Sequence, residues 1–329
     1  MRILVTGGAG FIGSCFIRYI LNKYPKYKIF NLDALTYCGN LDNLLDLANN
    51  SNYEFVLGNI CNREIVGKLF KKVDCVINFA AESHVDNSIM NPNVFVETNV
   101  LGTLNLLQEL KKHKNIQRFL QISTDEVYGT LGETGSFTEE SPLLPNSPYS
   151  ASKASADLLA RAFCETYNLP ILITRCTNNY GPFQYPEKLI PCFISKLLKN
   201  EKVPVYGDGL NIRDWLYVYD HCSAIDLVLH KGRIGEIYNI GSNNEKTNLE
   251  MTQIILNILD KDSSYIEFVQ DRLGHDKRYA LSFDKIRTEL GWKPSVTFEE
   301  GIKNTITWYL NNEAWLKALT LKNKKEVIV

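Results

Sequence analysis

The sequence predicts an α/β protein, a doubly wound parallel sheet followed by a smaller mixed α/β lobe, and three observations carry that expectation. The first half alternates short β-branched runs with segments of helical period, the pattern of βαβ units. A glycine-rich turn joins the first run to the first helical segment. After residue 177 the alternation weakens, as Pro182, Pro186, Pro191 and Pro204 interrupt the chain. At 329 residues the chain has room for two lobes around one cleft.

Taken in order, the runs Arg2–Thr6, Lys28–Leu32, Tyr53–Leu57, Val73–Phe79, Gln117–Ser123 and Pro170–Arg175 are the expected strands. Helices are expected at Phe11–Lys23, Leu41–Ala48, Arg63–Lys71, Val94–Lys112 and Tyr149–Tyr167. Right-handed crossovers through those helices make the strands parallel. Tyr238–Gly241 reads as a further strand that could return to the main sheet. The expected division is therefore 1–177 for the first lobe, rejoined by a segment near 213–241, and 178–329 for the second.

Composition narrows the function classes. Apolar residues make up 45% and charged residues 22%, an ordinary globular balance that excludes a disordered or collagen-like chain. Lys plus Arg number 36 against 37 Asp plus Glu, with no basic stripe to neutralise a phosphate backbone, so no nucleic acid partner is expected. The closest of eight cysteines, Cys164 and Cys176, are 12 positions apart, which leaves neither a redox pair nor a zinc knuckle and reads as reduced thiols. His84, His221 and His275 lack metal-ligand spacing, and no metal is expected. Without a cleavable leader or a membrane-length apolar run, no membrane association is expected, and the cytoplasm is the expected compartment.

The first turn carries the first chemical signal. Thr6-Gly7-Gly8-Ala9-Gly10-Phe11-Ile12-Gly13 follows a strand and opens a helix, the arrangement of a Rossmann-type phosphate cradle. Gly7 suits the tight turn, Gly10 the approach of backbone N–H groups to a pyrophosphate, and Gly13 the close packing of helix on strand. Asp33, 20 residues past Gly13, can accept both ribose hydroxyls. No Arg occurs between Arg18 and Arg63 to pair a 2′-phosphate, so NAD is expected rather than NADP. Asn59 and Ile60 stand where an adenine edge would lie, and Phe79, Ala80 and Ala81 offer small surfaces for the dinucleotide.

The reacting groups follow. Tyr149 and Lys153 are spaced i, i+4 at the head of a helix, which puts phenol and ammonium on one face. A neighbouring cation together with a positively charged nicotinamide ring is expected to favour the phenolate and bring Tyr149 toward working pH as a base. The fifth strand ends in Thr124-Asp125-Glu126, at the sheet edge where doubly wound folds bind ligands. Two adjacent carboxyls there suit acid–base chemistry, one giving and one taking a proton, and spacing leaves open which does which.

Together Thr6–Gly13, Asp33–Leu44, Ala80–Ile89, Ser123–Gly129, Tyr149–Lys153, Arg175–Pro191, Asn211–His221 and Arg272–Tyr279 resemble the dTDP-glucose 4,6-dehydratases of the extended short-chain dehydrogenase/reductase superfamily. The resemblance spans nearly the whole chain, and Thr124–Glu126 with Asn178–Pro191 are its most specific parts. It implies a reaction in three stages. Tyr149 takes the sugar 4-hydroxyl proton while C4 gives hydride to NAD, with Thr124 bonded to the same oxygen. Glu126 then removes the C5 proton as Asp125 protonates the departing 6-hydroxyl, and hydride returns to C6.

The resemblance also implies cofactor contacts from Gly7, Gly10, Phe11, Ile12, Gly13, Asp33, Leu35, Thr36, Asn59, Ile60, Phe79, Ala80, Ala81, Thr98, Tyr149, Lys153 and Asn179. Implied contacts to the nucleotide-sugar substrate are Ser83, Thr124, Asp125, Glu126, Asn178, Glu187, Lys188, Leu189, Pro204, Tyr206, Arg213, Asn248, Arg272 and His275. Arg213 and Arg272 suit a pyrophosphate clamp and Tyr206 a stacking face for the base. Asn59 stands for a usual Asp, Asn87 for an Arg, Tyr219 for an acidic residue and Leu273 for a Pro. Val94–Lys112, with Val100, Leu101, Leu104 and Leu107, and Tyr149–Tyr167 correspond to the pair that builds a four-helix dimer interface in the superfamily, which implies a homodimer. The product would enter deoxysugar biosynthesis, rhamnose included. Alternatives are the same reaction on UDP-glucose or another nucleotide sugar, a 4-epimerase or decarboxylase, and a non-catalytic NAD-binding sensor.

Overall fold

The protein is described from a computed structural model covering residues 1–326, with side chains through Leu319. Its strands are β1 (Arg2–Thr6), β2 (Lys28–Asp33), β3 (Tyr53–Leu57), β4 (Cys75–Asn78), β5 (Arg118–Thr124) and β6 (Ile171–Cys176). They continue with β7 (Asn178–Tyr180), β8 (Val203–Tyr206), β9 (Ile212–Tyr217), β10 (Ile237–Ile240), β11 (Glu245–Thr247) and β12 (Ile266–Val269). Seven form one parallel sheet in the order β10-β6-β5-β4-β1-β2-β3. The order reverses at β1, which lies between β2 and β4, and a ligand crevice opens beyond strand carboxyl ends at such a switch point.

Both faces of this sheet are covered, so its inner strands are mostly apolar, with buried polar residues such as Asn31, Asn78 and Gln121 among them. Alternation along β1 sends Ile3 and Val5 into one core and Leu4 into the other. The first core holds the helices Phe11–Lys23 and Val218–Lys231. The second holds Arg63–Phe70, Thr103–Lys112 and Pro148–Tyr167. A third core belongs to the chain after β6, where Leu189–Leu197, Asn248–Ile258 and Phe298–Asn311 pack around β8 and β9. There β9 lies between β11 and β7, and β12 pairs with β8. The chain then returns: Val218–Lys231 packs on Phe11–Lys23, and β10 pairs with β6 through Ile237 opposite Ile173.

Two expected helices are irregular. Leu41–Leu47 is a 3-10 helix broken at Leu44, because Asn40 caps it and the chain kinks to bury Asn43, Leu44 and Leu47. The expected helix Val94–Lys112 starts as a short α turn at Pro92–Phe95, widens to a π-helix at Val96–Gly102 and resumes as α at Thr103–Lys112. Asn99 is the physical reason: its buried amide accepts from Glu82 N–H at 2.9 Å and donates to Glu82 C=O at 3.0 Å and to Ser152 Oγ at 2.8 Å. The expected single apolar stripe is therefore divided, with Leu107 fully buried and Leu101 53% exposed.

Candidate active site

The glycine turn leaves space only where the chain needs it. Gly7 has φ +69, and a Cβ there would lie 2.6 Å from Ala80 N. A Cβ on Gly13 would collide with the Gly7 carbonyl oxygen, whereas at Gly10 only that oxygen comes near, at 3.3 Å. The helix Phe11–Lys23 thus points its N-terminus across an open cradle. Asp33, at the end of β2, accepts from Ala9 N–H and Leu35 N–H at 2.8 Å each, which aims the carboxylate at the cradle and leaves it lone pairs for two hydroxyls. These residues fit a dinucleotide with a free ribose.

One cleft is lined by Gly7, Gly10, Phe11, Ile12, Gly13, Asp33, Thr36, Asn59, Ile60, Phe79, Ala80, Ala81 and Thr98 at its cradle end. It continues past Thr124, Asp125, Glu126, Tyr149, Lys153 and Asn179 to Ser83, Asn178, Glu187 and Lys188. At the far end Tyr37 donates to Glu187 at 3.0 Å and Lys188 Nζ to the Ser83 carbonyl at 3.0 Å, joining its two walls.

Of the implied contacts, Leu35, Leu189, Pro204, Tyr206, Arg213, Asn248, Arg272 and His275 do not line this cleft. Leu35 spends its N–H on Asp33, and Leu189 opens the helix Leu189–Leu197 and packs on the third core. Pro204 and Tyr206 lie on β8, with Arg272 and His275 in the loop that follows its partner β12. Asn248 starts its helix with its N–H on the Asn211 carbonyl. Arg213 is buried over the Tyr279 ring at 4.4 Å and donates to the Asp276 carbonyl at 2.9 Å. Tyr206 is 40% exposed, donates to Asp86 at 3.4 Å and meets His275 edge-on, and Arg272 faces Asp86 at 3.8 Å. Arg272 and Arg213 nevertheless act electrostatically on Glu126, so the two groups of residues adjoin.

The acids sit on a single 3-10 turn, Asp125–Tyr128, at the end of β5. Thr124 caps it, accepting from Glu126 N–H at 3.3 Å and donating to Asp125 Oδ1 at 3.1 Å. Burial, then the adjacent Glu126, holds Asp125 well above the ordinary carboxylate range. Burial also raises Glu126, but Arg272, Lys188 and Arg213 pull it back. The pair is thus asymmetric, with the cations on Glu126.

Tyr149 is the second residue of the helix Pro148–Tyr167, whose start is fixed by a Ser147–Ser150 capping box and Pro148. The expected downward pull on Tyr149 joins Lys153 with a nicotinamide ring, and in the protein without that ring the phenol is held high. Burial, then Glu126, Cys176 and Asp125, push the phenol well above its usual value, against a hydrogen bond with Thr124. Lys153 Nζ instead donates to the Ile122 carbonyl at 2.7 Å, and burial lowers its own pKa.

The structure adds residues to the cleft that sequence reasoning missed. Cys38 and Cys176 line it, and burial raises both thiols to about 12, which keeps them from acting as nucleophiles. Glu82, in a run read only as packing surface, also lines the wall. Outside the lining, His221 is fully buried behind Asn179, with Nδ1 2.9 Å from Asn179 Oδ1. Among the described residues no group of three or more His, Cys, Asp or Glu could hold a metal ion.

Comparison with known proteins agrees with this geometry. The family profile described as GDP-mannose 4,6 dehydratase matches residues 4–305. A dTDP-glucose 4,6-dehydratase of Xanthomonas campestris pv. campestris is 51% identical, over 96% of this chain and 95% of its own. A crystal structure of the dTDP-glucose 4,6-dehydratase of Streptomyces venezuelae, with NAD and a dTDP ligand bound, superposes with a TM-score of 0.95 at 50% identity, covering 97% of this chain and 100% of that one. A UDP-glucose 4-epimerase of Thermotoga maritima superposes with a TM-score of 0.88 at 30% identity, covering 95% and 100%.

Proposed function

The chain belongs to the GDP-mannose 4,6-dehydratase family, and from its likeness to dTDP-glucose 4,6-dehydratases at about half identity we infer that it is an NAD-dependent hydro-lyase, a dTDP-glucose 4,6-dehydratase that forms dTDP-4-keto-6-deoxy-glucose and water. The observation that carries this reading is the buried Asp125–Glu126 turn set against Tyr149 in the cleft of the glycine cradle. A 4-epimerase shares the cradle and the Tyr–Lys pair but has no step that needs two acids.

Gly7, Gly10, Gly13, Asp33 and the small residues after β4 would hold NAD, which when bound supplies a two-electron acceptor that is reduced and re-oxidised within one turnover. Tyr149 takes the proton of the 4-hydroxyl, with Thr124 bonded to that oxygen, and the 4-ketone so formed acidifies the C5 hydrogen. Glu126, kept ionisable by its three cations, removes that proton. Asp125, held protonated by burial, gives its proton to the 6-hydroxyl, and water leaves. Return of the hydride to C6 and reprotonation at C5 complete the product. Burial and the two acids hold the phenol high, and the positive charge of a bound nicotinamide would favour its ionisation.

The reading extends to organisation. Residues 1–177, with the segment near 213–241, hold the cofactor, and 178–329 hold the nucleotide sugar. Arg213 and Arg272 clamp the diphosphate once Asp86 releases Arg272, and Tyr206 stacks on the base. Met90, Leu101 and Leu158, at 85%, 53% and 55% exposed, outline an apolar face beside the helices Thr103–Lys112 and Pro148–Tyr167, which suits a two-fold homodimer through a four-helix bundle. Among the described residues no helix is long and apolar enough to cross a membrane. The product enters deoxysugar biosynthesis in the cytoplasm.

Separate incubations with dTDP-glucose and UDP-glucose, followed by mass spectrometry, test the function. Loss of one water and a 4-keto sugar are expected with dTDP-glucose. An epimerised sugar of unchanged mass overturns the dehydratase reading, and equal turnover of both nucleotides overturns the base preference.

A further inference from the structure

Behind the Tyr149–Lys153 face lies a buried ionic network that the reaction does not touch. Asp157 stands one turn beyond Lys153, so Tyr149, Lys153 and Asp157 form one stripe on the helix Pro148–Tyr167. Asp157 Oδ2 accepts from Arg175 Nε at 2.9 Å, with the two side chains 1% and 4% exposed. Arg175, on β6 opposite Ser123 of β5, also donates through Nη1 to the Tyr128 hydroxyl at 2.8 Å. Tyr128 donates in turn to Asn239 Oδ1 of β10 at 2.8 Å, and its ring stacks on Phe137 with centroids 5.0 Å apart. Tyr128 is the last residue of the turn that begins with Asp125 and Glu126.

A buried ion pair is weak evidence for stability, because taking two charges out of water offsets most of what their attraction returns. Apolar side chains of the same volume would fill this space as stably. What they would not supply is direction: two hydrogen bonds from one planar guanidinium fix the distance and angle between the helix stripe and the end of the acid turn. We propose that Asp157, Arg175 and Tyr128 form a positioning relay that sets the Asp125–Glu126 turn against the Tyr149–Lys153 stripe. The groups acting at C4 and those acting at C5 and C6 thereby keep one spacing through the turnover. The relay rests on the dehydratase reading above.

Tyr128→Phe is the cleanest test, since it keeps the ring with the Arg175 guanidinium over it at 4.9 Å and the Asp157–Arg175 pair, and removes the directional hydroxyl that joins Arg175 to Asn239 through the turn. Rapid mixing with dTDP-glucose reads oxidation through the near-ultraviolet absorbance of the reduced nicotinamide and elimination through quenched-flow product analysis. Oxidation at the wild-type rate with elimination slowed about tenfold is expected, so that reduced cofactor accumulates. Ile225→Val, in the core remote from the cleft, is the control: it lowers the melting temperature and leaves the ratio of the two rates unchanged. A Tyr128→Phe enzyme in which both rates are unchanged, or both fall equally, overturns the relay alone. A wild-type protein that never eliminates water overturns the dehydratase reading and the relay with it.

Discussion

Lys153 Nζ donates to the carbonyl oxygen of Ile122 at 2.7 Å, which anchors the ammonium to the strand that ends in the acids. A buried cation held there favours negative charge on Tyr149 and works against the burial that holds the phenol high. Lys153→Met is expected to slow single-turnover oxidation by about 10²-fold or more, while Lys153→Arg keeps the charge and loses less. Oxidation by the Met variant at the wild-type rate would remove Lys153 from the reacting set.

The sheet and the cradle were legible because each depends on local pattern: β-branched runs, glycines at fixed offsets, and Asp33 at the end of the second strand. The Asp125–Glu126 pair was visible too, but spacing left its asymmetry open and only the resemblance supplied it, because the asymmetry comes from Arg213, Lys188 and Arg272 on three distant parts of the chain. The π-helix at Val96–Gly102 was hidden for a similar reason. It is set by Asn99 reaching Glu82 and Ser152, contacts that periodicity cannot encode. His221 closes one of the segments of the resemblance, but its pairing with Asn179 carried no signal, since the two are 42 residues apart in sequence.

Glu126→Gln is expected to pass hydride to the cofactor and stall before water leaves, leaving a persistent reduced-nicotinamide signal on mixing with substrate. Normal elimination by this variant would assign the C5 proton to another group.

The same carboxyl sets the acid limb of the pH profile. Burial raises Glu126 above its ordinary value of 4.5, so kcat should rise with pH through a value above the usual carboxylate range. Arg272 is the largest charge opposing that shift, and Arg272→Met should move the limb to higher pH. A limb that stays in place or moves down, measured at saturating substrate, would mean that Glu126 does not titrate in the step observed.

His221 gives stability its own pH dependence. Burial lowers its pKa from 6.5 to about 3, so as pH falls the unfolded chain takes up the proton first. Its contribution is complete above about pH 6.5 and declines by at most about 1.4 kcal/mol per pH unit down to the folded value. His221→Gln should therefore flatten the fall in melting temperature between about pH 7 and pH 5. Parallel curves for wild type and variant would rule out His221 as a source of the acid sensitivity.

The exposed apolar face predicts that the wild type sediments as a dimer at micromolar concentration. Leu101→Asp combined with Leu158→Asp places four buried carboxylates per dimer in that face and should leave a monomer. A wild-type monomer, or a double variant that remains dimeric, would place the interface elsewhere or remove it.

Asn59 lines the cleft where the adenine edge is expected, but its Oδ1 already accepts the Cys61 N–H at 2.8 Å. The other half of the amide is a donor, so only the second lone pair of Oδ1 is left to accept from the adenine amino group. In Asn59→Asp one carboxylate oxygen can keep the Cys61 bond while the second accepts from the base, a charge-assisted contact that the amide cannot make. A net gain on the order of 1 kcal/mol, about fivefold in Kd, is expected for NAD measured by calorimetry on cofactor-free protein. Adenosine diphosphate ribose should tighten by the same factor, because the changed contact lies at the adenine end. If nicotinamide mononucleotide gains as much, or neither NAD nor its fragment gains, the adenine edge does not rest on Asn59.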